Sequence, residues 1–337
     1  ARRLSSDFSL TPQNELLVSQ ICHQLAGMPL ALVLAAAQVS FLPLNALVQR
    51  LDQALHLLAD GARDLPPRQR TMRAAIRWSY DLLSSGEQTL FTRLAVFMGG
   101  FTLEAVEFVC VDDFLAPEDL LPLLRRLVDH SLVVSETNDA AVPIRQFARE
   151  QLKASGGLAD VQAQHAAYYL TLAAEAELKL QSADQVTWLA LLERELPNLR
   201  AAMAWLLEQQ DVDRATQLGW ALWLFLWIRG LLSEGRRWVE QILPQTEQQP
   251  LAVRGRALLM AMVIGFGQGA YAWAVSVIDE ALAIFHELGD ARNLAHATSL
   301  AGLNTAGIQQ FEAAEPLMEL GVERYLSVES NLNAGML

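Results

Sequence analysis

The chain has 337 residues and a mass of 37.2 kDa, enough for two or three domains with substantial cores. Hydrophobic residues reach 52% and charged residues 19%, which favours well-packed helices over a disordered tail. The net charge of -13 argues against a general nucleic-acid binder, since phosphate contacts need clustered Lys and Arg; residues 1–150 hold 13 basic and 17 acidic side chains, residues 151–337 hold 12 and 21.

Thr11-Pro12 is a helix start, a capping hydroxyl followed by proline at the first helical position, and Gly27 supplies the stop near Ala26. Pro29 opens an apolar helix, "LALVLAAAQV", and "LNALVQRLDQALHLLAD" gives a third that ends at Gly61. Pro66-Pro67 break the chain, and a helix follows to about Leu83. Ser84 and Glu87 have the spacing of a capping box for a helix ending at Gly99-Gly100. Thr102 caps a short helix, and "PEDLLPLLRRLVDHSLVV" adds another that runs into a strand at Leu132–Val134. Short helices followed by a strand suggest a winged-helix domain. The stretch "SETNDAAVP" leaves almost no room for a second strand, so either the wing is vestigial or residues are missing between Thr137 and Pro143.

From Ile144 onward everything reads as helical. A repeat with periods of 39 and 40 residues aligns 229–243, 268–282 and 309–322 if Gly235, Ala274 and Ala314 are equivalent. Leu232, Tyr271 and Phe311 then share one position, and Trp238, Val277 and Leu317 another. A small residue at a crossing with a ring three residues before it suits stacked helix pairs, so this region reads as a tetratricopeptide-like solenoid. The apolar runs Leu218–Ile228 and Leu258–Ile278 fit buried faces better than membrane spans: the first is too short, and "GFGQG" reads as a turn within the second. The chain is expected to be cytoplasmic, with Cys22 and Cys110 as buried thiols. "SVESNLNAGML" stops where another helix pair is expected.

With these landmarks in order, the chain resembles a known family. "GMPLALVLAAA" is similar to the "GLPLAL" motif in the helical subdomain of the NB-ARC-type switch ATPases, the STAND class. "RQRTMRAAIRWSYDLLSSGEQTLFTRLAVFMGGFTLEAVEFVC", "LVDHSLVV" and "IRQFAREQL" resemble the winged-helix domain and exit helix of its bacterial regulators, and "RELPNLRAAMAWLLEQQD" the start of their sensor repeats. The resemblance implies that Gly27 and Pro29 border the adenine of a nucleotide held by an upstream domain, ADP or ATP with Mg in the longer parent. It further implies that ligand binding at the repeats favours an open, nucleotide-exchanging state that can oligomerise. The family often has a phosphate-sensing histidine or acid before the exit helix; here the matching position lies near Val142-Pro143, which holds neither.

The chain itself carries no cofactor chemistry. A P-loop needs a Gly-Lys-Ser/Thr turn, and the two lysines, Lys153 and Lys179, do not follow glycine. The six histidines, at 23, 56, 130, 165, 286 and 296, show no metal spacing, and no Ser/His/Asp arrangement or tuned carboxylate pair stands out, so the chain is not expected to be an enzyme. Arg70, Arg73 and Arg77, at i, i+3 and i+7, form one face that suits docking onto the nucleotide domain; the plainer reading is a solvated face with a local Arg77–Asp81 pair. The groove-like helix "PEDLLPLLRRLVDH" sets Glu118, Asp119 and Asp129 against Arg125 and Arg126, which disfavours DNA contact. Trp220, Trp223 and Trp227 form a stripe on one helix, either solenoid core or the lining of a groove for a partner peptide.

The expected fold is all-α: a helical subdomain over 1–62, a winged-helix domain over 63–143, linking helices over 144–210 and tetratricopeptide-like repeats over 211–337. The expected function is the regulatory and sensor part of a signal-transduction NTPase switch that docks on an upstream nucleotide-binding domain and takes a protein or peptide ligand on its repeats. The alternative is a stand-alone adaptor that binds protein partners without nucleotide.

Overall fold

The computed structural model describes residues 10–12, 14–25, 29–39, 42–49, 67–133 and 141–334. The fold is all-α, and no strand occurs among these residues. The chain divides into two compact units, Ala1–His165 and Ala166–Leu337.

The first unit begins with α1 (Glu15–Gln24), α2 (Pro29–Gln38) and a helical stretch at 44–49. Thr11 and Pro12 form the turn before α1: the Thr11 carbonyl accepts the amides of Asn14 and Glu15, while Asn14 stands at the cap. The stop expected at Gly27 and the end of the third helix at Gly61 fall outside the described residues. So do 134–140, which hold most of the stretch between Thr137 and Pro143. Then come α3 (Pro67–Asp81), α4 (Ser85–Arg93) with a 3-10 turn at Leu94–Val96, α5 (Leu103–Cys110), α6 (Pro117–Asp129) and α7 (Ala141–Ala154). The capping box before α4 is complete: the Ser84 hydroxyl accepts from the Glu87 amide, and Glu87 accepts from the Ser84 amide at 2.6 Å. Thr102 caps α5 through the Ala105 amide at 3.2 Å. Leu90, Phe91, Leu120, Leu127 and Phe147 bury the inner faces of α4, α6 and α7.

The strand expected at Leu132–Val134 does not form through Val133. Ser131 turns left-handed at φ 58°, and the amides of Leu132 and Val133 both fold back onto the Leu127 carbonyl, at 3.0 and 3.2 Å. Those amides close the end of α6 and are no longer available to a β-ladder. Cys22 departs from expectation too, being exposed, whereas Cys110 is fully buried and its thiol is pushed up to about 12 by desolvation.

Helix α8 (Leu158–Lys179) carries the boundary between the units. The second unit continues with α9 (Gln185–Glu208), α10 (Val212–Ala221), α11 (Trp223–Ile228), α12 (Leu232–Ile242), α13 (Leu251–Gly267), α14 (Tyr271–Val275), α15 (Ile278–Glu287), α16 (Ala291–Gly307) and α17 (Phe311–Ala334). Helix α13 packs between α12 and α15–α16 and contributes an almost continuous buried run from Ala257 to Gly265.

The repeat register is visible as side chains seated on glycines. A Cβ at Gly267 would lie 2.7 Å from the Leu232 side chain, and a Cβ at Gly307 would run into the Tyr271 ring. The two equivalent positions thus each press on a glycine of the next long helix. The turn expected in "GFGQG" occupies its last two residues, Gln268 and Gly269, with Gly269 at φ +69°, while Gly265 and Gly267 still belong to α13. Among the described residues, no helix is long and apolar enough to cross a membrane.

Candidate functional site

Of the residues singled out in the sequence, Gly27 and the side chains of Pro29 and Arg70 lie outside the described set; Pro29 does begin α2. Arg73 is committed within the unit: it pairs with Glu150 of α7, and its guanidinium carbon stands 6.0 Å from the Phe147 ring centre. Arg77 makes the local i, i+4 contact with Asp81 at 3.9 Å. The structure therefore does not present Arg73 and Arg77 as free neighbours on one face.

The tryptophans fall on two short helices, Trp220 on α10 and Trp223 and Trp227 on α11. The break comes at Leu222, where φ -96° and ψ -3° take the chain out of regular helix. The rings nevertheless stay together, with Trp220 and Trp223 centroids 6.1 Å apart. All three are half-buried and pack against the core that includes Leu258, Phe285 and Ala301.

Around them the fold assembles groups that the sequence did not connect. His296 of α16 packs edge-on against Trp220 at 5.6 Å, Trp223 at 6.3 Å and Tyr325 at 6.1 Å. The Trp220 indole N–H donates to Glu177 of α8 at 3.0 Å. Trp227 stacks on Phe266 at 5.9 Å with an interplanar angle of 15°. The result is an aromatic cluster drawn from several helices and bordered by a carboxylate. Desolvation, helped by the nearby Arg292 charge, lowers the His296 pKa below 6.5, so the imidazole is held neutral. The spacing of three tryptophans was the only part of this site with a sequence signal.

Polar contacts tie further helices of this unit together. Arg200 grips Glu234 with two bonds, at 2.7 and 2.6 Å, and Glu234 is nearly buried. Glu195, also buried, accepts from the Tyr169 hydroxyl at 2.8 Å and the Asn198 amide at 3.0 Å. Burial and the Glu195 charge raise the Tyr169 pKa, which keeps that phenol a donor. Among the described residues, no group of three or more His, Cys, Asp or Glu is placed to hold a metal ion.

Comparison with known proteins places this chain beside bacterial regulators. Proteins of Mycobacterium tuberculosis (strain H37Rv) and Mycobacterium bovis, each provisionally named an HTH-type transcriptional regulator, are 37% identical over 330 residues. The match covers 94% of this chain but 37% of each relative, so the chain spans little more than a third of their length. A second M. tuberculosis protein, described as uncharacterized, is 36% identical over 167 residues, 46% of this chain and 42% of its own. No family model and no solved structure matches the chain.

Proposed function

We propose that this chain is the regulatory and sensor portion of a transcriptional regulator that works as a nucleotide switch. The observation that carries the reading is the near-complete match of the chain to roughly a third of much longer HTH-type regulators. In this reading, Gly27 and Pro29 border ADP or ATP with Mg held by a separate nucleotide domain. Arg70 and Arg77 contribute to docking that domain, and a protein or peptide ligand engages the aromatic cluster at Trp220, Trp223 and Trp227. Ligand binding then shifts the population towards an open, oligomer-competent state, which requires the ligand to bind that state more tightly.

The test uses the product of the complete reading frame and a fluorescent ADP analogue. The switch reading expects a Gly-Lys-Ser/Thr loop in that frame, saturable ADP binding, and a weakening of at least tenfold in Pro29→Ala. A frame without such a loop, or a product that binds no nucleotide, would leave the adaptor reading, in which the repeats bind partners independently of nucleotide.

The name of the relatives favours a second reading, in which this chain itself touches DNA. The helix to test is α6, where Arg125 is exposed but Arg126 bonds Glu87 at 3.3 Å. With a net charge of -13, little phosphate attraction is available. No mobility shift of duplex DNA is expected near physiological salt; a shift abolished by Arg125→Glu would establish the second reading instead.

A further inference from the structure

A cavity of about 520 Å³ opens within the first unit. That volume is in the range of small-molecule sites. Four elements wall it: the end of α3, one face of α4, the segment after α5, and the joint between α7 and α8. Val109, Val111, Leu152 and Val161 give it an apolar floor.

The polar groups around that floor divide into committed and uncommitted ones. The Arg93 guanidinium is committed to the wall, donating to the Cys110 carbonyl at 2.6 Å and pairing with Asp112. Asp112 also accepts the amides of Phe114 and Leu115, each at 2.9 Å. This pair is therefore closed and its charges cancel. The Tyr80 hydroxyl and the side chains of Gln151, Gln164 and Asp160 also line the cavity, and among the described residues none of them finds a hydrogen-bond or ion-pair partner. The Tyr80 ring is fixed between Phe91 at 5.8 Å and Phe147 at 5.5 Å. Asp160 lies in the first turn of α8, where the helix dipole suits a carboxylate. Subtracting the closed pair leaves one uncompensated charge on the described lining, and it is negative.

We propose that this cavity is a binding site for a small amine, one whose ring-sized apolar body rests on the valine and leucine floor while its ammonium group meets Asp160. Gln151, Gln164 and Tyr80 satisfy polar groups at its rim. An anionic ligand finds no free cation on the described lining, because Arg93 is already spent on Asp112 and the Cys110 carbonyl. Such an amine would also bridge the exit helix α7 and α4, which both contribute to the wall. The assignment does not depend on the nucleotide-switch reading.

The experiment is calorimetry and saturation-transfer NMR on the full chain with three matched probes: tryptamine, indole-3-propionamide and indole-3-propionate. Tryptamine is expected to bind at least tenfold more tightly than the propionate, with the amide between them. Asp160→Asn should bring the three within about threefold, and Gln151→Trp should block all of them by filling the cavity. Asp113→Asn, an exposed acid away from the lining, should change nothing. The proposal is overturned if no probe binds, if amine and acid bind equally, or if Asp160→Asn keeps the preference. Circular dichroism on each variant separates lost binding from lost folding.

Discussion

Both compact units cap helix ends locally, the second through Asp211 and Asp290, but the second adds a different kind of contact. In the first, helix ends are fixed locally: Ser84 and Glu87 close a capping box, and Thr102 caps α5. In the second, the repeats are fixed at a distance, by a side chain from one helix pair seated on a glycine of the next, Leu232 on Gly267 and Tyr271 on Gly307. Local caps each contribute about 1 kcal/mol and fail singly. Interlocking contacts are jammed against backbone, so they tolerate little change in volume.

The sharpest way to break this comparison is to add side chains to one helical glycine in each unit. Gly307→Leu forces a side chain into the Tyr271 ring and is expected to cost about 2–3 kcal/mol, lowering the urea midpoint. Gly86→Ala places its Cβ 3.6 Å from Leu123, an ordinary contact, and should be neutral or stabilise by about 0.5–1 kcal/mol through helix propensity. Equal effects would mean that the repeats are not interlocked as described.

The same contrast operates inside the repeat. Tyr271 and Phe311 occupy equivalent positions, yet Tyr271 is half-buried against Gly307 while Phe311 is 65% exposed. Tyr271→Ala should cost about 2 kcal/mol and Phe311→Ala no more than about 0.5 kcal/mol. An intermediate loss, about 1 kcal/mol, is expected from Ser84→Ala, which removes one local cap. Chemical denaturation of the three variants gives the ranking directly.

What could be read in advance follows the same division. The capping box was legible because its four residues are consecutive and their chemistry is self-contained. The absence of the strand expected at Leu132 was not, because the left-handed turn that prevents it falls on Ser131, a residue with no sequence preference for that conformation. "GFGQG" was legible only in part: its last glycine makes the expected turn, but glycine serves both turns and close approach, and only the neighbouring Leu232 and Trp227 side chains show that Gly267 does the second. At the aromatic cluster, three tryptophans at helical spacing were visible. His296 and Glu177 were not, since they lie far from Trp220 in the chain and reach it only in the folded unit, the imidazole edge-on to its ring and the carboxylate by accepting its indole N–H.

Acid titration gives the most delicate probe of the difference, and its sign can be worked out. Burial and the Arg292 charge lower the His296 pKa, whereas in the unfolded chain it stays near 6.5. Below pH 6.5 the unfolded chain therefore binds a proton that the folded chain refuses, and stability falls with pH until the lowered folded value is reached. His130 in the first unit behaves likewise: burial lowers its pKa, and its Nδ1 accepts from the Gln38 side chain at 3.1 Å, a bond that protonation would remove. Glu87 acts in a lower window. Burial opposes its ionisation, but the Ser84 bonds and Arg126 outweigh burial and lower its pKa below 4.5, so its contribution is present above that value and lost as pH drops through the folded one. His296→Gln should flatten the part of the slope below pH 6.5 that tryptophan emission reports, because the imidazole sits against Trp220 and Trp223. His130→Gln should leave that emission step in place while reducing the overall slope. If His296→Gln left the emission step untouched, the imidazole would not be held among those rings.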